Sequence, residues 1–100
     1  MKKYAVFGNP IEHSMSPLIH AYFAKNLGIK LTYEAILGTI GKFELEAKNF
    51  LKTGGRGFNV TLPFKQEAYN LAETKSEIAE ITGSVNTISL KDGLIHGDNT

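Results

Sequence analysis

Residues 57–65 read Gly-Phe-Asn-Val-Thr-Leu-Pro-Phe-Lys, a strand-forming stretch that runs directly into a helix start. Its β-branched and aromatic residues predict a strand over 57–62. Asn59 and Thr61 are separated by one residue, so they lie on the same face of that strand. Pro63 fits the first turn of the helix that follows. A strand followed directly by a helix is the unit from which α/β folds are built.

The sequence on both sides repeats this alternation of strand and helix patterns. Strand patterns cover residues 3–7, 31–37, 57–62, 85–90 and 94–96. Helix patterns cover residues 16–27, 43–53, 63–71 and 76–81. The last two strands form a predicted hairpin that turns at Asp92-Gly93. The alternation predicts a three-layer α/β/α fold, in which helices cover both faces of a mostly parallel (mixed) sheet.

Composition limits the classes of function. The 100 residues suit one domain, and 11 basic against 10 acidic side chains leave a formal net charge of +1. So small a charge predicts no nucleic-acid or membrane partner. The absence of cysteine excludes disulfides and thiolate metal sites and makes the cytoplasm the default compartment, and we expect no metal. The apolar run after Lys2-Lys3 is too short for a signal sequence or a membrane span.

The first segment with chemical potential is residues 8–17, Gly-Asn-Pro-Ile-Glu-His-Ser-Met-Ser-Pro. Ser14 and Ser16 come just before a predicted helix, whose free N–H groups form an anion site. The two hydroxyls can donate hydrogen bonds to a carboxylate, and the helix dipole favours its charge. The alternative is that Ser16 only caps the helix. His13 receives no role, because no carboxylate partner for it is evident.

Lys65 stands in the first turn of a predicted helix, where the helix dipole disfavours a cation. A lysine in that position either extends into solvent or serves proton transfer or anion binding. If its ammonium form is disfavoured there, it can act as a general acid or base. The sequence pattern leaves both interpretations open.

Two further segments, residues 83–87 and 97–100, place small and amide-bearing residues at strand ends. Ligands of parallel sheets bind outside such ends. Asn86 offers both a donor and an acceptor, which suits a polyol, although asparagine beside a turn is also ordinary loop chemistry. The glycine-rich residues 54–57 lack the spacing of a P-loop or a dinucleotide fingerprint, so the sequence shows no nucleotide-binding loop.

Taken together, the order and spacing of these segments resemble the N-terminal domain of shikimate dehydrogenase across essentially the whole chain. The family pattern of a glycine and a proline followed by His-Ser-x-Ser-Pro is met within residues 8–17. The family's Asn-Val-Thr-x-Pro-Phe-Lys is met in full by residues 59–65, and its Gly-x-Val-Asn-Thr by residues 83–87. The resemblance implies the fold of that N-terminal domain.

The resemblance also implies how a substrate is held. Ser14 and Ser16 would bind the substrate carboxylate. Thr61, Asn86 and Asn59 would contact the substrate hydroxyls. The small-molecule ligands implied are shikimate and 3-dehydroshikimate.

The implied activity is the NADP-dependent reduction of 3-dehydroshikimate to shikimate. Lys65 would be the catalytic lysine that handles the hydroxyl proton while hydride passes between the substrate and the nicotinamide. Glu77 falls where relatives often touch the cofactor, although an exposed position on a helix accounts for it equally well.

Two departures from the family pattern bear on activity. The family's Gly-x-Asn-Thr-Asp places an aspartate after the threonine, and this chain stops at Thr100. The C-terminal Rossmann NADP-binding domain is also absent from this chain. We therefore expect residues 1–100 to be the substrate-binding domain only, inactive and with negligible cofactor binding when isolated. The full-length protein would be a monomer or homodimer, and the isolated domain is expected to self-associate through its exposed edge.

Two alternatives remain at this point. One is a quinate/shikimate dehydrogenase, which would use the same carboxylate and hydroxyl contacts. The other is a non-catalytic module that senses shikimate or quinate. Replacing Lys65 by alanine distinguishes the sensor from the enzyme, because a sensor needs no proton carrier.

Overall fold

The computed structural model describes residues 2–10 and 31–100. The predictions at Ser14 and Ser16, and the helix predicted over 16–27, lie outside the described residues. The described strands are β1 Lys2–Gly8, β2 Leu31–Leu37, β3 Gly55–Val60, β4 Thr74–Lys75, β5 Thr87–Lys91 and β6 Leu94–Asp98. The described helices are α1 Phe43–Lys52, α2 Lys65–Leu71 and α3 Glu77–Thr82. None of these helices is long and apolar enough to cross a membrane.

The described strands form one six-stranded sheet in the order β2-β1-β3-β5-β6-β4. The pairs β1–β2, β1–β3 and β4–β6 are parallel, whereas β5 is antiparallel to both β3 and β6. The sheet is therefore mixed, as predicted, with β5 as the single reversed strand among the six. The reversal follows from the predicted hairpin, since a two-residue turn at Asp92-Gly93 can join only antiparallel strands.

This topology brings distant parts of the chain to one edge of the sheet, which we call the carboxyl edge. The last residues of β1, β2, β3, β4 and β6 lie there, together with the first residue of β5. Crossing the sheet from β2 to β4, the residues at or just beyond this edge are Gly38, Asn9, Thr61, Asn86, Asp98 and Ser76. Three of the four motif-bearing segments therefore lie at this edge. Of the first segment, residues 8–17, the structure describes only residues 8–10, and these lie there too.

The junction between β3 and α2 differs from the prediction. The strand ends at Val60, and the helix begins at Lys65 rather than at Pro63. The Thr61 N–H donates to the Phe7 carbonyl at 2.9 Å, and the Phe64 N–H donates to the Thr61 carbonyl at 3.1 Å. These bonds close a tight turn, so Lys65 is the first helical residue and lies in the first turn of α2, as predicted.

An aromatic cluster forms the core between the sheet and the helices. Phe7 of β1 and Phe58 of β3 are 1% and 3% exposed, and their ring centroids are 4.9 Å apart. The positions 43, 47 and 50 of α1 are buried, which is the spacing of one helical face. Phe43 lies edge-on to Phe7 at 5.7 Å and stacks on Phe64 at 5.1 Å. The ring of Phe64 therefore fixes the backbone next to Lys65.

The glycines at residues 54–57 serve the packing of β3. A Cβ atom on Gly57 would lie 2.6 Å from the Ile88 carbonyl oxygen of the neighbouring strand. Only glycine permits this approach, because a contact that short requires one backbone to shift. This glycine-rich segment is therefore part of a buried strand.

Candidate functional site

Backbone hydrogen bonds at the carboxyl edge hold the motif segments against one another. The Val60 N–H donates to the Asn86 carbonyl at 2.8 Å, and the Asn86 N–H donates to the Asp98 carbonyl at 3.0 Å. The Val85 N–H donates to the Lys65 carbonyl at 3.3 Å. Residues that are separated by 12 to 26 positions in the sequence thus share one small surface at the ends of β3, β5 and β6.

Lys65 is the first residue of α2, and its side chain is half-buried. The preceding residue, Phe64, is 1% exposed and anchors the start of the helix in the core. Among the described residues, no group accepts a hydrogen bond from the Lys65 ammonium. The start of α2 therefore lies between the turn at Thr61 and the segment that carries Asn86, because backbone hydrogen bonds join it to both.

The Asn86 side chain is held by the end of the chain. Its Nδ2 donates to the Thr100 carbonyl at 3.0 Å, and its Oδ1 accepts from the Thr100 N–H at 3.1 Å. Oδ1 also accepts from the Thr87 hydroxyl at 2.9 Å. These contacts use one of the two N–H groups of the amide, so Asn86 can offer the other to a ligand.

Asn59 and Thr61 lie on the sheet face opposite the aromatic core. Asn59 is exposed, and its Oδ1 accepts from the Tyr33 hydroxyl at 2.6 Å. Tyr33 was not among the predicted site residues. Its contact with Asn59 spans β1, and only the register of β1 with β2 and β3 reveals it.

Asp98 has a structural role beside the site. Its Oδ1 accepts from the Ser76 hydroxyl at 2.7 Å and from the Asn99 N–H at 2.7 Å. Both hydrogen bonds lower the pKa of the carboxyl, the one from Ser76 more than the one from Asn99, so the group is ionised at neutral pH. Ser76 also caps α3 by accepting from the Ala79 N–H at 3.2 Å. Asp98 thereby joins β6 to α3.

Glu77 lies at the far end of the carboxyl edge. It is exposed and occupies the first position of α3, directly after the cap residue Ser76. An acidic side chain is favourable at a helix start, so this position has a local explanation. In the strand order, β5 and β6 separate β4, which precedes Glu77, from β3, which precedes Lys65.

A groove of about 430 Å³ lies at the opposite edge of the sheet. It is lined by Tyr4, Leu51, Gly54, Gly55, Arg56, Ser89 and Leu90. None of the predicted site residues contributes to it, so the groove is separate from the carboxyl edge. Within residues 2–10 and 31–100, no group of three or more His, Asp or Glu side chains is placed to hold a metal ion.

Comparison with known proteins identifies the family. Residues 6–88 match the family model described as the shikimate dehydrogenase substrate binding domain. The chain belongs to this family. The match includes Asn59, Thr61, Lys65 and Asn86, and it confirms the predicted family.

Individual relatives of the shikimate dehydrogenase family show the same likeness. A curated shikimate dehydrogenase (NADP(+)) from Shewanella halifaxensis is 55% identical over 99% of this chain and 36% of that protein. An Ael1 enzyme from Pseudomonas putida has a TM-score of 0.93 and 41% identity over 99% of this chain and 36% of its own. Shikimate 5-dehydrogenase from Thermus thermophilus, in complex with shikimate, has a TM-score of 0.88 and 34% identity over 99% of this chain and 38% of its own. These structures confirm the fold class. The chain spans little more than a third of the length of these relatives.

Proposed function

We propose that this chain is the shikimate-binding domain of an NADP-dependent shikimate dehydrogenase, which reduces 3-dehydroshikimate to shikimate. The convergence of Thr61, Lys65 and Asn86 at the carboxyl edge is the observation that carries this proposal. The family membership supports it, and so do the names of the relatives from Shewanella halifaxensis and Thermus thermophilus. Ligands of α/β sheets bind outside the carboxyl ends of strands, where these residues lie.

Each substrate contact follows from the chemistry of its residue. Ser14 and Ser16 bind the carboxylate through their hydroxyls, at the start of the helix predicted over 16–27. Asn59, Thr61 and Asn86 bind the ring hydroxyls from the ends of β3 and β5. These contacts orient the ring so that its reacting carbon faces away from the domain and its oxygen faces Lys65.

Lys65 handles the proton in the proposed reaction. When bound, the nicotinamide supplies the hydride. The Lys65 ammonium donates its proton to the oxygen of the substrate carbonyl, which becomes the hydroxyl of shikimate. In the reverse direction the neutral amine removes that proton. The rigid start of α2 holds Nζ near the oxygen throughout.

Residues 55–57 of the glycine-rich segment lie within β3, where Gly57 packs against β5, so they do not form a loop that could hold a dinucleotide. We propose that a Rossmann domain outside these 100 residues holds NADP and that Glu77 approaches it from this domain. We also infer a cytoplasmic location, which is the default compartment for a sequence without cysteine. It stays a prediction that the full-length protein is a monomer or homodimer. Self-association of the isolated chain also stays a prediction.

The carboxylate contact can be tested with a double variant of the full-length protein. Ser14→Ala/Ser16→Ala removes two charge-assisted hydrogen bonds, so we expect KM for shikimate to rise roughly 10²-fold while kcat changes little. NADP reduction by shikimate provides the assay. Ser89→Ala is the matched control, because Ser89 borders the groove at the opposite edge. An unchanged KM in the double variant, or no NADP reduction by the wild-type protein, would refute the proposal.

A further inference from the structure

Five residues form a continuous chain of side-chain hydrogen bonds across the polar face of the sheet, which we call the amide relay. Its members are Tyr33, Asn59, Thr87, Asn86 and Thr100. The Tyr33 hydroxyl donates to Asn59 Oδ1 at 2.6 Å, and Asn59 Nδ2 donates to Thr87 Oγ1 at 3.4 Å. Thr87 Oγ1 donates to Asn86 Oδ1 at 2.9 Å, and Asn86 Nδ2 donates to the Thr100 carbonyl at 3.0 Å.

The four hydrogen bonds that lead from the Tyr33 hydroxyl to the Thr100 carbonyl all run in the same direction. The Thr87 hydroxyl has one hydrogen, and because that hydrogen goes to Asn86, its oxygen is free to accept from Asn59. Asn59 must then turn Nδ2 toward Thr87 and Oδ1 toward Tyr33. The relay thereby fixes which way each amide faces, without help from a ligand.

Asn86 has a second constraint from the backbone. The Thr100 N–H can only donate, and the Thr100 carbonyl can only accept, so the two groups select one orientation of the Asn86 amide. Oδ1 accepts from the Thr100 N–H at 3.1 Å and from the Thr87 hydroxyl at 2.9 Å, and the Thr100 hydroxyl makes a longer contact with it at 3.5 Å, so its acceptor capacity is used. The group that remains available on Asn86 is an N–H donor.

We propose that Tyr33 and Thr87 are positioning residues, which hold Asn59 and Asn86 so that both amides present N–H donors to the ligand. This inference rests on the proposed function and specifies the chemistry of that site. The ligand oxygens that face these amides must act as hydrogen-bond acceptors. A hydroxyl or carbonyl oxygen satisfies this requirement, whereas an ammonium group in the same place does not.

Tyr33 is suited to the first position of the relay. Burial raises the pKa of its phenol above the ordinary value of 10.0, so the hydroxyl keeps its hydrogen at neutral pH. A phenol donates more readily than an aliphatic hydroxyl, and its position at 2.6 Å from Asn59 Oδ1 matches a strong O–H···O bond. The phenol can therefore act as the donor to Asn59 Oδ1, which matches the orientation that Thr87 imposes on the Asn59 amide.

The test compares Thr87→Val, which removes the hydroxyl but keeps the shape, with Thr87→Ser, which keeps the hydroxyl. Side-chain amide signals of Asn86 and Asn59 are recorded by NMR for the 15N-labelled chain without ligand. We expect both sets of signals to shift in Thr87→Val and to return toward their original positions in Thr87→Ser. Tyr33→Phe should shift the Asn59 signals more than those of Asn86. Thr53→Val is the control, because Thr53 follows α1 and its hydroxyl bonds only to carbonyls of that helix.

Kinetics of the full-length protein supply the second readout. We expect Thr87→Val to raise KM for shikimate roughly 3- to 10-fold, as the loss of one hydrogen bond does, with kcat nearly unchanged and with recovery in Thr87→Ser. Unshifted Asn86 amide signals in Thr87→Val, or shifted signals with an unchanged KM, would overturn the proposal. If the wild-type protein does not act on shikimate, the proposed function fails. The role of these amides as donors to shikimate then fails as well, whatever the NMR signals show.

Discussion

Replacing Lys65 with methionine lowers kcat of the full-length protein by about 10²- to 10⁴-fold, which is the usual contribution of a general acid or base. Methionine retains most of the length and apolar character of the side chain but carries no proton. KM for shikimate should change much less, because the serine, threonine and asparagine contacts remain. Steady-state NADP reduction measures both constants, and calorimetric titration with shikimate measures binding independently.

Lys52→Met is the matched control for this prediction. Lys52 is exposed in the last turn of α1, on a different element from Lys65, and its replacement should leave kcat unchanged. If Lys65→Met keeps wild-type turnover, the catalytic assignment is wrong. A full-length protein that binds shikimate but shows no turnover, even before substitution, would instead support the sensing module as its function.

Replacing Phe7 with alanine should lower the free energy of unfolding by about 3–5 kcal/mol, the range found for large-to-small aromatic changes in cores. Phe7 is 1% exposed and contacts the rings of Phe43, Phe50 and Phe58, with centroid distances of 5.7, 5.9 and 4.9 Å. The substitution removes apolar contact and leaves a cavity at the centre of the sheet. Chemical denaturation of the isolated chain, followed by circular dichroism, measures the change.

Leu45→Ala provides the comparison on the surface. Leu45 lies on α1 and is 70% exposed, so its loss should change the free energy of unfolding by no more than about 0.5 kcal/mol. A Phe7→Ala variant as stable as Leu45→Ala would mean that the aromatic cluster does not form the core.

The local pattern of the sequence predicts most of the described fold because each element carries its own periodicity. The strand over 31–37 and the hairpin turned at Asp92-Gly93 are confirmed, as is a helix that starts at Phe43. Strand β4 was missed, since it has only two residues and exists through its pairing with His96 and Gly97 of β6. The helix start assigned to Pro63 was wrong, because a hydrogen bond from Thr61 to distant Phe7 holds a turn there.

The predicted site residues are those for which residue type and motif coincide. Lys65 and Asn86 have recognisable chemistry within short motifs, and the topology places both at the carboxyl edge. Tyr33 has no such signal, because its contact with Asn59 depends on strand order and register, which the local pattern does not contain. The local pattern also does not contain the contact of Asp98 with Ser76, because this hydrogen bond joins residues that are 22 positions apart.

The central claim, that shikimate binds at the carboxyl edge, is tested most directly by mapping its binding on the 15N-labelled chain by NMR. We predict saturable shifts at Thr61, Lys65 and Asn86, which disappear in the Ser14→Ala/Ser16→Ala variant. Signals of Arg56 and Leu90, at the groove on the opposite edge, should stay in place. Shifts confined to that groove, or no shift in a chain whose dispersed spectrum shows that it is folded, would contradict the claim.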